Sequence, residues 1–311
     1  MTPCVLRPAC PARRPWLGLI GRVFRGETIT CADPDFVELA GEGWDARVMT
    51  EVVPDRYHAK QGRSIARWTL ADDAGREMTV YLKRHYLLSR LAGWAAAVFP
   101  RAAWSPGLQE WKHLAWARAQ GLPVARPVAA GEIRGPFGRL ESFLAVEELA
   151  GMLPLNEAIP LALDRLPATA FAAWKRGLIP ELARLSRELH RRRAFHKDLY
   201  LCHFYLPADD CERVPAAFRG RVHMIDFHRL GRHPVQWLYY QVKDLAQLLY
   251  STGGVPGVTA RDRVRFWRLY RGGGWDGVTA PPGWVRAAVM VKWRRYRRHN
   301  ARRRAKTEAG A

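Results

Sequence analysis

The nonapeptide Phe195-His196-Lys197-Asp198-Leu199-Tyr200-Leu201-Cys202-His203 decides the fold. Before it, Leu178, Leu182, Leu185 and Leu189 recur at three- and four-residue spacing, the period of a helix with one apolar face. After it, Phe204-Tyr205-Leu206 is a short apolar run of strand type. A second segment, His223-Met224-Ile225-Asp226-Phe227-His228, sets a carboxylate at the end of another apolar strand. Two aspartates on a strand–loop–strand unit suit phosphoryl transfer. One orients a nucleophilic hydroxyl and accepts its proton, and the other holds Mg²⁺ against the phosphates. His-x-Asp alone is a weak signal, and a surface loop with a charged pair is its plain alternative.

Upstream the pattern changes to β. Residues 51–57, 64–70, 78–83 and 140–146 read as strands, with turns at Lys60-Gln61-Gly62-Arg63 and Asp72-Asp73-Ala74-Gly75. Between them, residues 109–120 carry Trp111, Leu114 and Ala115 on one helical face and stop at Gly121. Strands first and helices later, joined near residues 147–151, predict an α+β protein with a small β-rich lobe and a larger α-helical lobe. A cleft between two such lobes is a natural ligand site. The expected divisions are an N-terminal extension (1–43), a nucleotide-binding lobe (44–150), a lobe with the catalytic loop and metal site (151–285) and a basic tail (286–311).

The β-rich half supplies further candidates in the order the chemistry needs. Lys83 ends an apolar strand, within reach of nucleotide phosphates, and Glu110 opens the next helix as its partner. Gly62 lies at a hairpin tip where backbone amides can cover phosphate oxygens. Glu147-Glu148-Leu149 follow an apolar strand at the junction, where backbone groups can read an adenine edge. Each has a bland alternative, a surface charge or an ordinary turn. The order lysine, glutamate, junction, His-x-Asp and apolar-Asp-Phe is what chance does not readily supply.

His196-Lys197-Asp198-Leu199-Tyr200-Leu201-Cys202-His203-Phe204, Ile225-Asp226-Phe227-His228-Arg229 and Lys243-Asp244-Leu245-Ala246 together resemble the lipopolysaccharide core kinases, which phosphorylate heptose or Kdo. The resemblance runs from about Arg47 to Ser251 and implies a bilobal protein-kinase-like fold. It also implies ATP and Mg²⁺ as cofactors, with Asp198 in the His196-x-Asp198 triplet as catalytic base and Asp226 as metal ligand. By the same likeness Lys83 binds phosphate, Glu110 is its partner, and Asp244 braces the catalytic loop through backbone amides. His203 falls where protein kinases carry a metal-binding asparagine. An imidazole is a poorer Mg²⁺ ligand than an amide oxygen, so His203 is either a metal ligand or an orienting group for Asp198 or a phosphate. Lys197 replaces the arginine of His-Arg-Asp, His228 replaces the glycine of Asp-Phe-Gly, and neither Gly-x-Gly-x-x-Gly nor Ala-Pro-Glu is present. The long stretch from Lys83 to Glu110, with Arg84, Arg90, Trp94, Arg101 and Trp104, carries substrate or membrane contacts, or simply packs.

Charge points the same way. A formal net charge of +21 draws the surface to polyanions: nucleic acid, anionic lipid or a phosphorylated substrate. Residues 286–306 are arginine-rich and acid-free, with Trp293 and Tyr296 interleaved. They are either a solvated face or a basic aromatic helix suited to an anionic leaflet. No nucleic-acid-binding module is readable. Five cysteines without a Cys-x-x-Cys pair exclude the common zinc spacings and favour a reducing cytoplasm. The apolar patch at residues 16–20 is too short for a signal peptide, and the longest apolar run, 91–99, is too short to span a bilayer. The expected protein is an ATP-dependent kinase for a lipopolysaccharide inner-core sugar, at the inner face of the cytoplasmic membrane. Its partners are a glycolipid or sugar acceptor and an anionic membrane surface. The rivals are a kinase-like phosphotransferase for protein, aminoglycoside or another glycan, and a non-catalytic kinase-like binding protein at the membrane.

Overall fold

The computed structural model describes residues 21–50, 52–58, 62–100, 102–275 and 280–309. The chain divides into two compact units, one of residues up to 119 with 125–149, the other of 120–124 with residues from 150 onward. The first is built on an antiparallel sheet. Its strands are β1 (Glu27–Ala32), β2 (Arg56–His58), β3 (Arg63–Ala71), β4 (Glu77–His85), β5 (Pro127–Arg134) and β6 (Leu140–Glu147), in the order β1-β5-β6-β4-β3-β2. Alternation along β4 puts Val80, Leu82 and Arg84 on one face and Tyr81 and Lys83 on the other. The Val80 face is covered by α1 (Pro34–Ala40) and α2 (Trp44–Thr50), whose Phe36 and Val48 are completely buried. Phe36 meets Trp44 edge-to-face at 5.3 Å and Trp68 at 6.0 Å. Each fully buried large apolar side chain contributes about 1.5–3 kcal/mol.

Two sequence expectations change here. Residues 27–40, expected to belong to a loosely structured extension, are integral to this unit: β1 pairs with β5, and Asp33 and Asp35 hold Arg126 at 2.6 and 2.8 Å. Of the strand expected over 51–57, residues 56 and 57 fall in β2, while 52–55 are not strand. Lys60, Gln61 and Arg101 lie outside the described residues. Between β4 and β5 run α3 (Arg90–Val98) and α4 (Pro106–Ala119). Glu132, buried in β5, receives the amides of Trp104 and Ser105 at 3.2 and 2.9 Å, and so holds the entry to α4. Gly107 in the first turn of α4 approaches the Phe143 carbonyl so closely that no Cβ fits.

The second unit is mainly helical: α5 (Leu155–Arg165), α6 (Ala168–Arg191), α7 (Trp237–Ser251), α8 (Ala260–Gly272) and α9 (Val285–Ala309). Short strands complete it. β7 (Met152–Pro154), β9 (Phe204–Pro207) and β10 (His223–Met224) form one antiparallel sheet, and β8 (Ala194–Phe195) pairs with β11 (Gly231–Arg232). Leu178, Leu182, Leu185 and Leu189 form the buried stripe of α6, as their spacing required. The residues read as a basic tail begin inside this core. Val285 and Val289 pack with Ala183, Leu245, Ala246 and Tyr270, Tyr296 lies 6.0 Å from Tyr250, and Asn300 donates to the Tyr250 hydroxyl at 2.7 Å. The arginines after residue 290 therefore ride on a docked helix. Among the described residues, no helix is long and apolar enough to cross a membrane.

Candidate active site

In the sheet unit, the alternation of β4 turns Lys83 toward α4, and Lys83 Nζ meets Glu110 Oε1 at 2.7 Å. Glu110 is buried on α4, and the Lys83 side chain is about a quarter exposed. Gly62 precedes β3 with φ +54°, accepts the Tyr86 amide at 2.7 Å, and has the Leu87 side chain where a Cβ would stand. The junction departs from the expectation. The Glu147 amide donates to the Arg126 carbonyl and the Glu148 amide to the Thr79 carbonyl, both at 2.8 Å, because β6 extends through Glu147. Those two amides are spent in the sheet and unavailable to a base. The Glu148 carboxylate takes Arg67 through two bonds of 2.8 Å, which lowers its pKa below the ordinary carboxylate value.

In the helical unit, the loop after β8 is held from one face of α7. Asp244, fully buried, accepts the amides of His196 and Lys197 at 2.8 Å each. Gln247, one turn on, donates to Asp198 Oδ1 at 3.2 Å and to the Tyr200 hydroxyl at 3.0 Å. Ser251, a further turn on, accepts the Leu201 amide at 2.8 Å. Spacings of three and four residues put all three on one helical face. Asp244 is itself backed by a buried chain: Gln241 donates to the Tyr270 hydroxyl at 2.8 Å, Tyr270 to His190 Nδ1 at 2.6 Å, and His190 Nε2 to Asp244 at 3.3 Å. Burial pushes the Tyr270 phenol well above its usual pKa, which keeps it a donor.

His196 is completely buried and donates from Nε2 to the Ile225 carbonyl at 2.9 Å. Burial lowers its pKa, keeping the ring neutral, and its Nδ1 has no hydrogen-bond partner. Grouped with the catalytic residues in the sequence, it instead ties the Asp198 loop to the segment before Asp226. His203 donates from Nδ1 to the Asp198 carbonyl at 2.7 Å, and its Nε2 faces Asp226 Oδ2 at 3.8 Å. Asp226 adopts left-handed backbone angles (φ 64°, ψ 55°), and its other oxygen accepts His228 Nδ1 at 2.6 Å. The Asp198 carboxylate receives Arg229 Nη1 at 3.0 and 3.2 Å. Lys197 also has positive φ, at 66°, and its ammonium lies 5.2 Å from the Tyr240 ring centre, in space that a side chain at position 231 would take.

Among the described residues, no three His, Cys, Asp or Glu side chains form a metal cluster. Mg²⁺ does not need one: it takes one or two carboxylates and completes its shell with phosphate and water. The partly exposed Asp226 carboxylate fits that demand. His203 Nδ1 is committed to a carbonyl, and its Nε2 lies beside Asp226 Oδ2 at 3.8 Å. The sequence reading gave no role to Arg229, Gln247 or Ser251. The three- and four-residue steps from Asp244 were the available signal for the last two.

A lysine–glutamate pair on an antiparallel sheet, a braced His-x-Asp loop and a second aspartate on a helical unit define a protein-kinase-like fold. Within that class, the chain belongs to the lipopolysaccharide kinase (Kdo/WaaP) family, whose profile matches residues 73–270. The lipopolysaccharide core heptose(I) kinase WaaP of Pseudomonas aeruginosa PAO1 is 33% identical over 162 residues, 52% of this chain and 58% of that protein. The protein of the same name from Escherichia coli K12 is 35% identical over 174 residues, 53% of this chain and 59% of that one. The matches thus span less than two thirds of these relatives. A solved structure described as WaaP in complex with acyl carrier protein superposes with a TM-score of 0.60 at 26% identity, covering 85% of this chain and 97% of that one.

Proposed function

We propose that this protein is an ATP-dependent kinase that phosphorylates a sugar hydroxyl of the lipopolysaccharide inner core, with heptose the favoured acceptor. Family membership and the names of its relatives support the substrate class. The observation that carries the chemistry is the Asp198 carboxylate, held by Gln247 and Arg229 on a loop whose amides are pinned by Asp244. A carboxylate so fixed orients the acceptor hydroxyl and takes its proton as it attacks the γ-phosphate in line. Lys83, positioned by Glu110, holds phosphate oxygens, and the Leu149 backbone, not the amides of Glu147 and Glu148, meets the adenine edge. Asp226, with His203 beside it, would hold Mg²⁺. That ion, when bound, neutralises charge on the phosphates.

Two placements belong to the same proposal. The basic helix α9 docks the protein on the anionic inner face of the cytoplasmic membrane, supported by its exposed arginines. The helical unit also binds an acyl carrier protein, with a cavity apolar enough to take an acyl chain. Supporting this are the description of the solved relative and an apolar cavity of about 300 Å³ lined by Leu178, Leu182, Leu249, Phe266, Val289 and Trp293.

Asp198→Asn keeps the shape and removes the proton acceptor. Mg·ATP should still raise its melting temperature while phosphate transfer to a core heptose falls at least about a hundredfold. Lys83→Ala should lose most of the Mg·ATP shift. Near wild-type transfer by the asparagine variant would remove Asp198 from the mechanism.

A further inference from the structure

The sheet unit carries an apolar surface that the chemistry does not use. Apart from Arg90, every residue of α3 (Arg-Leu-Ala-Gly-Trp-Ala-Ala-Ala-Val) is apolar. Its inner face is Gly93, Ala96 and Ala97, kept small because Gly93 lies against the Gly138 backbone with no room for a Cβ. The large side chains therefore face outward: Leu91 is 80% exposed, Trp94 41% and Val98 50%. Steps of three and four residues line them up on one stripe. Phe99 follows at 62% exposure, and beside α3 stands Phe137, 55% exposed at the tip of the β5–β6 turn. Phe24 meets Phe137 edge-to-face at 5.8 Å and is 60% exposed, while Arg22 Nε ties its segment to α3 through the Ala97 carbonyl at 2.8 Å. A helix that shows apolar side chains on both faces lacks a solvent side, and a patch of this kind marks an interaction surface.

Phe137 adds an independent observation. It holds φ +53°, ψ +39°, the left-handed region, which costs a bulky residue about 1 kcal/mol relative to glycine. The ring gains little burial in return: its edge-to-face contact is with Phe24, itself 60% exposed, and it stays 55% exposed. The nearby carboxylates are committed to arginines, Glu27 to Arg134 at 3.0 Å and Glu141 to Arg139 at 2.6 Å. No acidic residue occurs between Glu77 and Glu110 or before Glu27, and Arg25 and Arg90 are exposed beside the apolar stripe.

We propose that this face inserts into the headgroup–acyl boundary of an anionic bilayer, independently of α9. Tryptophan and phenylalanine beside aliphatic side chains, with unpaired charge there contributed by arginine, make up the composition that interfacial helices use. A second copy is disfavoured as occupant, since self-pairing would oppose arginines of like charge. The choice of a bilayer rests on the reading above, in which the acceptor is a membrane-borne glycolipid.

The test uses the full chain with vesicles of phosphatidylethanolamine and phosphatidylglycerol. At about 0.5 M salt, where surface charge attraction is largely screened, the wild type should retain binding. Leu91→Glu/Val98→Glu should bind at least about tenfold more weakly, because two carboxylates then have to enter the interface. Brominated lipid should quench the wild type more than Trp94→Phe. Phe137→Gly is the arm that a folding defect cannot mimic. It relieves the left-handed backbone, so its melting temperature should not fall while its vesicle binding does. Equal binding by all variants at high salt would overturn the proposal. So would conversion of a wild-type dimer to a monomer in the double variant with vesicle binding unchanged, which would make the face a self-interface. Transfer to a soluble, deacylated core sugar should be unaffected by these substitutions. If no sugar is phosphorylated by any form and the vesicle results still follow this pattern, the kinase reading fails and the surface stands.

Discussion

Gln247 is the side chain whose role the sequence did not announce. Its amide N–H groups bridge Asp198 and the Tyr200 hydroxyl from a site only 3% exposed, so the donor is fixed by packing. Arg229, half exposed on the opposite flank of Asp198, is the softer partner. Removing the amide leaves Asp198 to an arginine that solvent can take away. For Gln247→Ala, kcat should fall about tenfold with the KM for ATP unchanged, and the lost buried hydrogen bond should cost about 1 kcal/mol of stability. Gln247→Glu has the same shape but sets a second carboxylate against Asp198, and its loss of kcat should exceed that of alanine. Equal activity of the glutamate variant and the wild type in steady-state assays would remove Gln247 from the positioning of Asp198.

At the scale of elements, α6, α7, α8 and α9 carry two features. One, confined to α6, α7 and α8, is the buried chain from Gln241 through Tyr270 and His190 to Asp244. It joins three helices to two loop amides, so the loop geometry depends on the whole helical packing. The other is the apolar cavity, which those helices leave open where Leu249 faces Phe266 and Trp293. If an acyl chain enters it, acyl carrier protein bearing a long acyl chain should raise the melting temperature, whereas the unacylated form should not. Leu249→Arg should abolish that rise, as the longer charged side chain takes space and apolar surface from the acyl chain. Equal stabilisation by both forms of the carrier would place the contact outside the cavity. Core effects of the substitution are separated by the melting temperature without carrier.

For the whole molecule, 50 lysines and arginines against 29 acidic residues leave at least 21 cations that no carboxylate can match one to one. Arg294, Arg295, Arg297, Arg298 and Arg302 are exposed on α9, while Tyr296 and Asn300 on the same helix hold Tyr250. Truncation after Lys292 would therefore remove packing along with charge. Replacing the five arginines by glutamine removes charge and, at Arg297, the 5.0 Å contact with the Trp293 ring, but leaves the Tyr250 packing in place. At low salt each contributes on the order of 1 kcal/mol near an anionic leaflet. Sedimentation with anionic vesicles should then show a large loss at low salt that shrinks as salt is added, with the melting temperature nearly unchanged. A loss that is the same at every salt concentration would rule out electrostatic docking by α9.

The sequence alone determined the order of the chain, strands then helices, because periods of two and of 3.6 are properties of consecutive residues. It also offered the charged candidates Lys83, Glu110, Asp198 and Asp226 through an order of residue types that chance does not readily supply, and Asp244 through family resemblance. Tertiary structure decided what those residues touch. The helical start of α9 was hidden under arginines, since Val285 and Val289 are too few to read as a core stripe until Tyr270 is packed on them. Residues 27–40 read as loose because β1 gains its hydrogen bonds from β5, about a hundred residues away. The spent amides of Glu147 and Glu148, the burial of His196 and the grip of Gln247 on Asp198 likewise follow from partners distant in sequence. Hydrogen bonds and burial are relations between segments, and no single segment carries them.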